Sequence, residues 1–258
     1  MRFDKFFGTL GPVIAMAVAN GVSGCDGPNF DFGGKEGEPL DELDLSGAAP
    51  DTVSVIGPDI VRITEGAEFS IAVEGEDLAK ERMRFLLDDG TISVMRDRET
   101  WCDKDDKLAT VSITMPPPEK LVMAGSGEIH SDTLADSVEI VIAGSGRIST
   151  PEVDVASLDV NLAGSGHYRA SGRADRLDLN VAGSGNAKME NLKVDRAKVK
   201  IAGSGNATFS SDGKVDVRIM GSGNVTVRGN PKCTLKSFGS GTLNCEPGGA
   251  TVDPDGEE

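Results

Sequence analysis

A parallel β-helix, an all-β solenoid with Gly-Ser-Gly corners, is the fold this sequence predicts, and three observations predict it. The tripeptide Gly-Ser-Gly occurs seven times, starting at residues 125, 144, 164, 183, 203, 221 and 239, in steps of 19, 20, 19, 20, 18 and 18. Apolar and polar residues alternate on both sides of each tripeptide, which is the period of a strand and not of a helix. Aromatic residues make up 4% of the 258-residue chain and glycine supplies 33 positions, a composition that suits thin stacked coils better than a broad globule. A strand-bearing period near twenty describes coils that cannot bury an apolar face alone and therefore stack.

The chain opens with what reads as an export signal over residues 1–24. Arg2 and Lys5 give a basic start, and Phe6 to Ala19 form an apolar run too short for an ordinary transmembrane helix. Val22-Ser23-Gly24-Cys25 then resembles a bacterial lipobox, in which Cys25 is lipidated and becomes a membrane-anchored mature N-terminus. Ala17-Val18-Ala19 offers an ordinary cleavage site instead, and Cys25 is then available to pair with Cys102. Either route places the protein in the cell envelope: a periplasm-facing or surface lipoprotein, or a protein secreted to the periplasm. Residues 25–50, rich in Gly, Pro, Asp and Glu, read as an acidic flexible tether.

The solenoid is expected over residues 51–246, as N-terminal coils at 51–118 followed by the seven-repeat ladder at 119–246. Short alternating strands are predicted for Thr52 to Ile56, Asp59 to Thr64, Glu68 to Glu74, Met83 to Leu87, Thr91 to Arg96 and Ala109 to Met115. Gly57-Pro58, Glu65-Gly66 and Asp88-Asp89-Gly90 separate them as turns. Asp77 to Arg84 permits a short helix beside the stronger hairpin signal at Asp89-Gly90. Trp101, in the charged stretch Asp97 to Lys107, is expected to cover the open N-terminal end. Residues 247–258 read as an acidic disordered tail.

Within the ladder, the residues two and four places before each tripeptide form one inward face, as in Met123 and Leu121, Ile142 and Ile140, or Ile201 and Val199. The second and fourth residues after it form another, as in Ile148 and Thr150 or Ala207 and Phe209. Each coil is thus expected to present two inward strands. Six steps of about 4.8 Å give roughly 29 Å of solenoid. The glycines suit a corner needing positive φ and lacking room for a Cβ, and the serines are expected to stack as a hydroxyl column that satisfies corner backbone groups. Met220 and Phe238 replace the Ala that precedes the earlier corners, which predicts looser corners there. Cys233 and Cys245 occupy opposite inward columns of the final coil and are expected to form a disulfide, with two buried thiols as the alternative.

These residues resemble the bacterial head GIN domain family, labelled "putative auto-transporter adhesin". The resemblance rests on the recurrent Ala-Gly-Ser-Gly, on Asn-Ala at 186 and 206 and Asn-Val at 224, and on the run Val111 to Pro116. It covers about residues 52 to 246 and implies an exported right-handed β-helix without established enzymatic activity.

The formal net charge of −16 repels phosphate backbones and anionic headgroups, which argues against nucleic-acid partners. An envelope protein or polysaccharide is the partner class that remains, besides the membrane through Cys25. A candidate ligand-binding stripe is formed by outward Lys200, Arg218 and Lys236, with Asn161 and Asn180 above it. Beside it Asp178, Lys198 and Asp216 alternate in sign, as cross-strand pairs do. Asn186, Asn206 and Asn224 are expected to stack as an amide ladder. The alternative is a carbohydrate-active β-helix enzyme, which needs clustered carboxylates or an aromatic sugar platform. Only His130, His167, Tyr168 and Trp101 offer themselves, Tyr168 reads as core, and Asp154, Asp159, Asp175 and Asp178 read as a solvated face. No catalytic residue, metal site or cofactor is expected, since zinc spacings, the calcium nonapeptide and a phosphate loop are all missing from the sequence.

Overall fold

The structure, a computed structural model, describes residues 37–97, 107–246 and 250–252. The expected signal peptide, Cys25, the start of the tether, Trp101 and Cys102 lie outside the described residues. The strands are β1 (Thr52–Gly57), β2 (Ile60–Glu65), β3 (Ser70–Glu74), β4 (Met83–Asp88), β5 (Thr91–Arg96), β6 (Thr110–Met115), β7 (Lys120–Gly125), β8 (Glu128–Ser131) and β9 (Ser137–Gly144). They continue as β10 (Arg147–Gly164), β11 (His167–Gly183), β12 (Asn186–Gly203), β13 (Asn206–Gly221), β14 (Asn224–Arg228), β15 (Lys232–Phe238), β16 (Thr242–Cys245) and β17 (Ala250–Val252). One five-residue helix, α1 (Asp77–Glu81), precedes β4.

From β7 onward the coils stack as parallel strands with the corner glycines in register, Gly125 on Gly144, Gly144 on Gly164, and so on to Gly221. The first glycine of each tripeptide has φ between 110° and 129°, a region side chains rarely tolerate. The second glycine is buried instead, at least through Gly223, and there a Cβ would strike the coil below: at Gly205 it would lie 2.6 Å from Val181 Cγ1. The two glycines thus serve different needs.

Each full coil has three inward faces, not two. Along β12 the buried residues are Ala187 and Met189, then Leu192 and Val194, then Ala197, Val199 and Ile201. The phase of the alternation changes where two successive residues, Glu190-Asn191 and Asp195-Arg196, leave the core, and each such pair turns the chain. The middle face (Val153 and Val155, Leu192 and Val194) escapes a reading anchored on the tripeptides because register shifts beside it change its offset from coil to coil. Tyr168 and Phe209 fill the axis, and the Tyr168 hydroxyl lies 2.8 Å from Thr150 Oγ1, so its one polar atom is satisfied. Burial pushes the Tyr168 phenol well above its ordinary pKa.

The N-terminal coils do not follow chain order. β1 lies between β5 and β7, and β2 between β6 and β8, all parallel, so the chain enters at the second coil, builds the end coil afterwards and returns. Gly57, aligned with Gly125 and at φ 136°, makes Gly57-Pro58 a corner of the same column. The end is covered by antiparallel strands: β4 pairs with β5 through the Asp89-Gly90 turn, where both residues have positive φ, and β3 pairs with β6. Arg96 and Asp59 clamp this end coil through a buried pair (Nε to Oδ2 2.6 Å, Nη2 to Oδ1 2.7 Å), while the Ala109 N–H donates to Asp59 Oδ1 at 2.8 Å.

At the other end Cys233 and Cys245 form the disulfide, with Cα atoms 6.7 Å apart. The last two corners are not looser. Gly221 and Gly239 both have φ 127°, because the residue before the corner points out of the sheet, leaving Met220 41% and Phe238 63% exposed. The tail is also not wholly without structure, since β17 pairs with Cys233–Leu235 of β15.

Candidate functional site

The interior is apolar and filled, so chemistry toward other molecules belongs to the outward columns. On the face preceding the corners, register places Val122, Val141, Asn161, Asn180, Lys200, Arg218 and Lys236 in one column. The expected cationic stripe is therefore contiguous, each cation about 4.8 Å from the next at the backbone. Lys200 and Arg218 form no ion pair with a described residue. The Asn180 side-chain amide donates to Asn161 Oδ1 at 3.0 Å, and the Asn161 amide reaches Asp159 Oδ1 at 3.2 Å, fixing the polar end of the column.

The neighbouring column runs Lys120, Glu139, Asp159, Asp178, Lys198 and Asp216. Lys120 pairs with Glu139 at 2.7 Å. Asp159 is half-buried between two like charges: burial, then Asp178 and Glu139, raises its carboxyl above the ordinary range. On the other side, nearest the corner, lie Ala163, Ala182, Ala202, Met220 and Phe238, an apolar edge that grows bulkier toward the C-terminal coils. The stripe is thus flanked by a column of mixed charge on one side and apolar surface on the other.

The corner serines are exposed, and their hydroxyls make no hydrogen bond among the described residues. Corner backbone is satisfied by backbone: the Ser145, Ser165, Ser184, Ser204 and Ser222 N–H groups donate to the preceding corner glycine carbonyl at 2.8 to 2.9 Å. This corrects the expected hydroxyl column, because the donor within reach is the serine amide and its side chain points to solvent. Past the corner the amide ladder does form. Asn206 Nδ2 donates to Asn186 Oδ1 at 2.9 Å, Asn224 Nδ2 to Asn206 Oδ1 at 3.1 Å, and Thr242 Oγ1 to Asn224 Oδ1 at 2.6 Å.

The residues weighed for catalysis do not converge. His130 contacts Glu128 at 3.2 Å in one column, whereas His167 lies in another, beside Arg147. Asp154 faces Arg173 across strands and Asp175 contacts the same arginine at 3.4 Å, away from Asp159 and Asp178. Among the described residues no group of His, Cys, Asp or Glu is placed to hold a metal, and no helix is long and apolar enough to cross a membrane.

Stacked parallel coils with a filled core and charged, amide-bearing outer columns define a β-solenoid. The family model "Putative auto-transporter adhesin, head GIN domain" matches residues 49–231, and the chain belongs to that family. Among solved structures, a "putative adhesin" from Bacteroides fragilis is similar over 76% of this chain and 92% of its own, at 18% identity and a TM-score of 0.64. A "putative lipid binding protein" from Parabacteroides distasonis is similar over 77% and 93%, at 23% identity and a TM-score of 0.60. A "putative adhesin" from Parabacteroides merdae follows at 15% identity and a TM-score of 0.55, over 76% and 92%. No curated protein matches the chain.

Proposed function

We propose that this chain is a non-enzymatic, exported cell-envelope solenoid, tethered through lipidated Cys25, whose outward columns act as an adhesin-like binding surface for an anionic polysaccharide. The observation that carries the reading is the register of Lys200, Arg218 and Lys236 on one flat face. With a net charge of −16 the chain as a whole repels polyanions, so retention depends on this local reversal and weakens with salt. Repeating cations at strand spacing suit a ligand that itself repeats charge along a chain.

The test is retention on immobilised anionic polysaccharide, with a neutral polysaccharide as control. Parent protein is expected to bind at low salt, and Lys200→Glu/Arg218→Glu to lose binding while keeping its circular dichroism spectrum. An unretained parent, or a variant that binds as well as the parent, overturns the reading. A second reading follows the apolar edge: exposed Met220 and Phe238 offer a contact for an acyl chain or an apolar partner, consistent with the lipid-binding description of one structural neighbour. Vesicle binding lost in Met220→Ser/Phe238→Ser and kept in the charge variant would favour it. Mass spectrometry of the mature N-terminus tests the anchor.

A further inference from the structure

The coil carrying β11 is one residue shorter than both neighbours, and the shortfall falls at one bend. Thr150 pairs with Ala170 and Val153 with Gly172, so two residues, Pro151 and Glu152, oppose Ser171 alone. On the other side Arg169 pairs with Lys188 and Ser171 with Asn191, so Met189 and Glu190 oppose Ala170 alone. A short coil between two longer ones is recessed, and a notch of about 350 Å³ opens at this bend. Gly172 permits the recess: at φ 121° its backbone sits so close to β10 that a Cβ would lie 2.1 Å from the Val153 carbonyl oxygen.

The notch is lined by Ser149, Arg169, Ser171, Lys188, Glu190 and Asn191, with Pro151 and Ala170 as its apolar wall. Ser149, Arg169 and Lys188 share one outward column, placing hydroxyl, guanidinium and ammonium about 4.8 Å apart at the backbone. None of the six polar side chains makes a hydrogen bond or ion pair with a described residue, which contrasts with the paired charges Arg173 and Lys193 on the adjoining face. The rim is nevertheless fixed, since Ser210 Oγ donates to the Glu190 carbonyl oxygen at 3.0 Å. Two unpaired cations, three uncommitted hydroxyl or amide groups and a carboxylate thus converge on a recess of the size that takes small ligands.

We propose that this notch is a binding site for one acidic sugar unit of a glycan, its carboxylate or sulfate ester held between Arg169 and Lys188. Ser149, Ser171 and Asn191 bond the ring hydroxyls, Glu190 accepts from a hydroxyl, and Pro151 packs against the ring. Arginine supplies the directional pair of hydrogen bonds and lysine the point charge. The site lies on a different face from Lys200 and Arg218, so each can fail alone.

The experiment is titration of the parent, monitored by NMR or calorimetry, with trigalacturonate, a sulfated trisaccharide and neutral maltotriose. Arg169→Glu/Lys188→Glu is expected to weaken acidic-trisaccharide binding at least tenfold. So is a glycine inserted between Ala170 and Ser171, which restores the longer coil and fills the notch without changing charge. Lys80→Glu, which reverses a charge on α1 outside both surfaces, is expected to leave this binding unchanged. Stronger response to trigalacturonate identifies a uronate, and to the sulfated probe a sulfate ester. Binding of neither acidic probe, equal binding of maltotriose, or full binding by the Arg169/Lys188 variant overturns the proposal.

Discussion

Gly183→Ala and Ser184→Ala, adjacent substitutions in one corner, separate the two explanations of the tripeptide. Gly183 has φ 121°, and a Cβ there would stand 2.4 Å from the Gly164 carbonyl oxygen and 3.2 Å from its carbonyl carbon, against an ordinary contact of 3.4 Å or more. The backbone strain costs about 1 to 3 kcal/mol. Relieving the clash pushes the coils apart and weakens the 2.8 Å Ser184 N–H to Gly164 hydrogen bond, which adds about 0.5 to 1.5 kcal/mol. The expected loss is therefore about 1.5 to 4.5 kcal/mol for Gly183→Ala. Ser184→Ala removes an exposed hydroxyl without a partner and is expected to change stability by less than about 0.5 kcal/mol. Urea unfolding followed by far-ultraviolet circular dichroism measures both. A near-neutral Gly183→Ala, or a Ser184→Ala that costs more than about 1 kcal/mol, would refute the assignment of the corner to its glycines.

Four further variants test the ends and the charged face. Arg96→Met leaves the Asp59 carboxylate buried without its guanidinium and is expected to cost about 3 to 5 kcal/mol, read as a fall in thermal midpoint. Asp59→Asn is expected to cost less, because its amide oxygen still accepts from the Ala109 N–H. Cys233→Ser/Cys245→Ser opens a short cross-link, 12 residues in sequence, and is expected to cost about 2 to 3 kcal/mol, with hydrogen exchange accelerating first in β15 and β16. For Asp159 the folded-state pKa is raised, so the folded state holds the proton more tightly than the unfolded one. Its ionisation penalty is present at neutral pH and is relieved as pH falls through the raised value. Asp159→Asn is expected to gain about 0.5 kcal/mol at neutral pH by removing a half-buried charge and, with it, the like-charge contacts with Asp178 and Glu139, with the gain vanishing in acid; a gain that persists there contradicts the cause given.

The ladder was legible because its signals are local and repeated. Corner spacing placed Leu121 through Ile219 in their inward columns, and the same register predicted the Cys233–Cys245 pair and the Asn186, Asn206, Asn224 ladder. Features that depend on where the repeat breaks were not legible in the same way. The middle face, with Leu192 and Val194, shifts its offset at each bulge. The entry of β1 between β5 and β7 is a long-range choice that no local pattern encodes, and the Arg96–Asp59 clamp depends on it. The serine column misled because a hydroxyl beside a tight corner resembles a cap, whereas the corner amide already reaches the carbonyl below. One signal for the notch is present in the sequence: the 20, 19, 20 succession of steps around Gly164 and Gly183.

The proposed role requires the outward columns to bind an anionic glycan without altering it. The most direct measurement incubates purified protein with anionic polysaccharide at low and high salt, recording both retention and polymer length. Salt-sensitive retention with unchanged polymer length is the predicted result. Absence of retention at low salt, or shortening of the polymer, would contradict it.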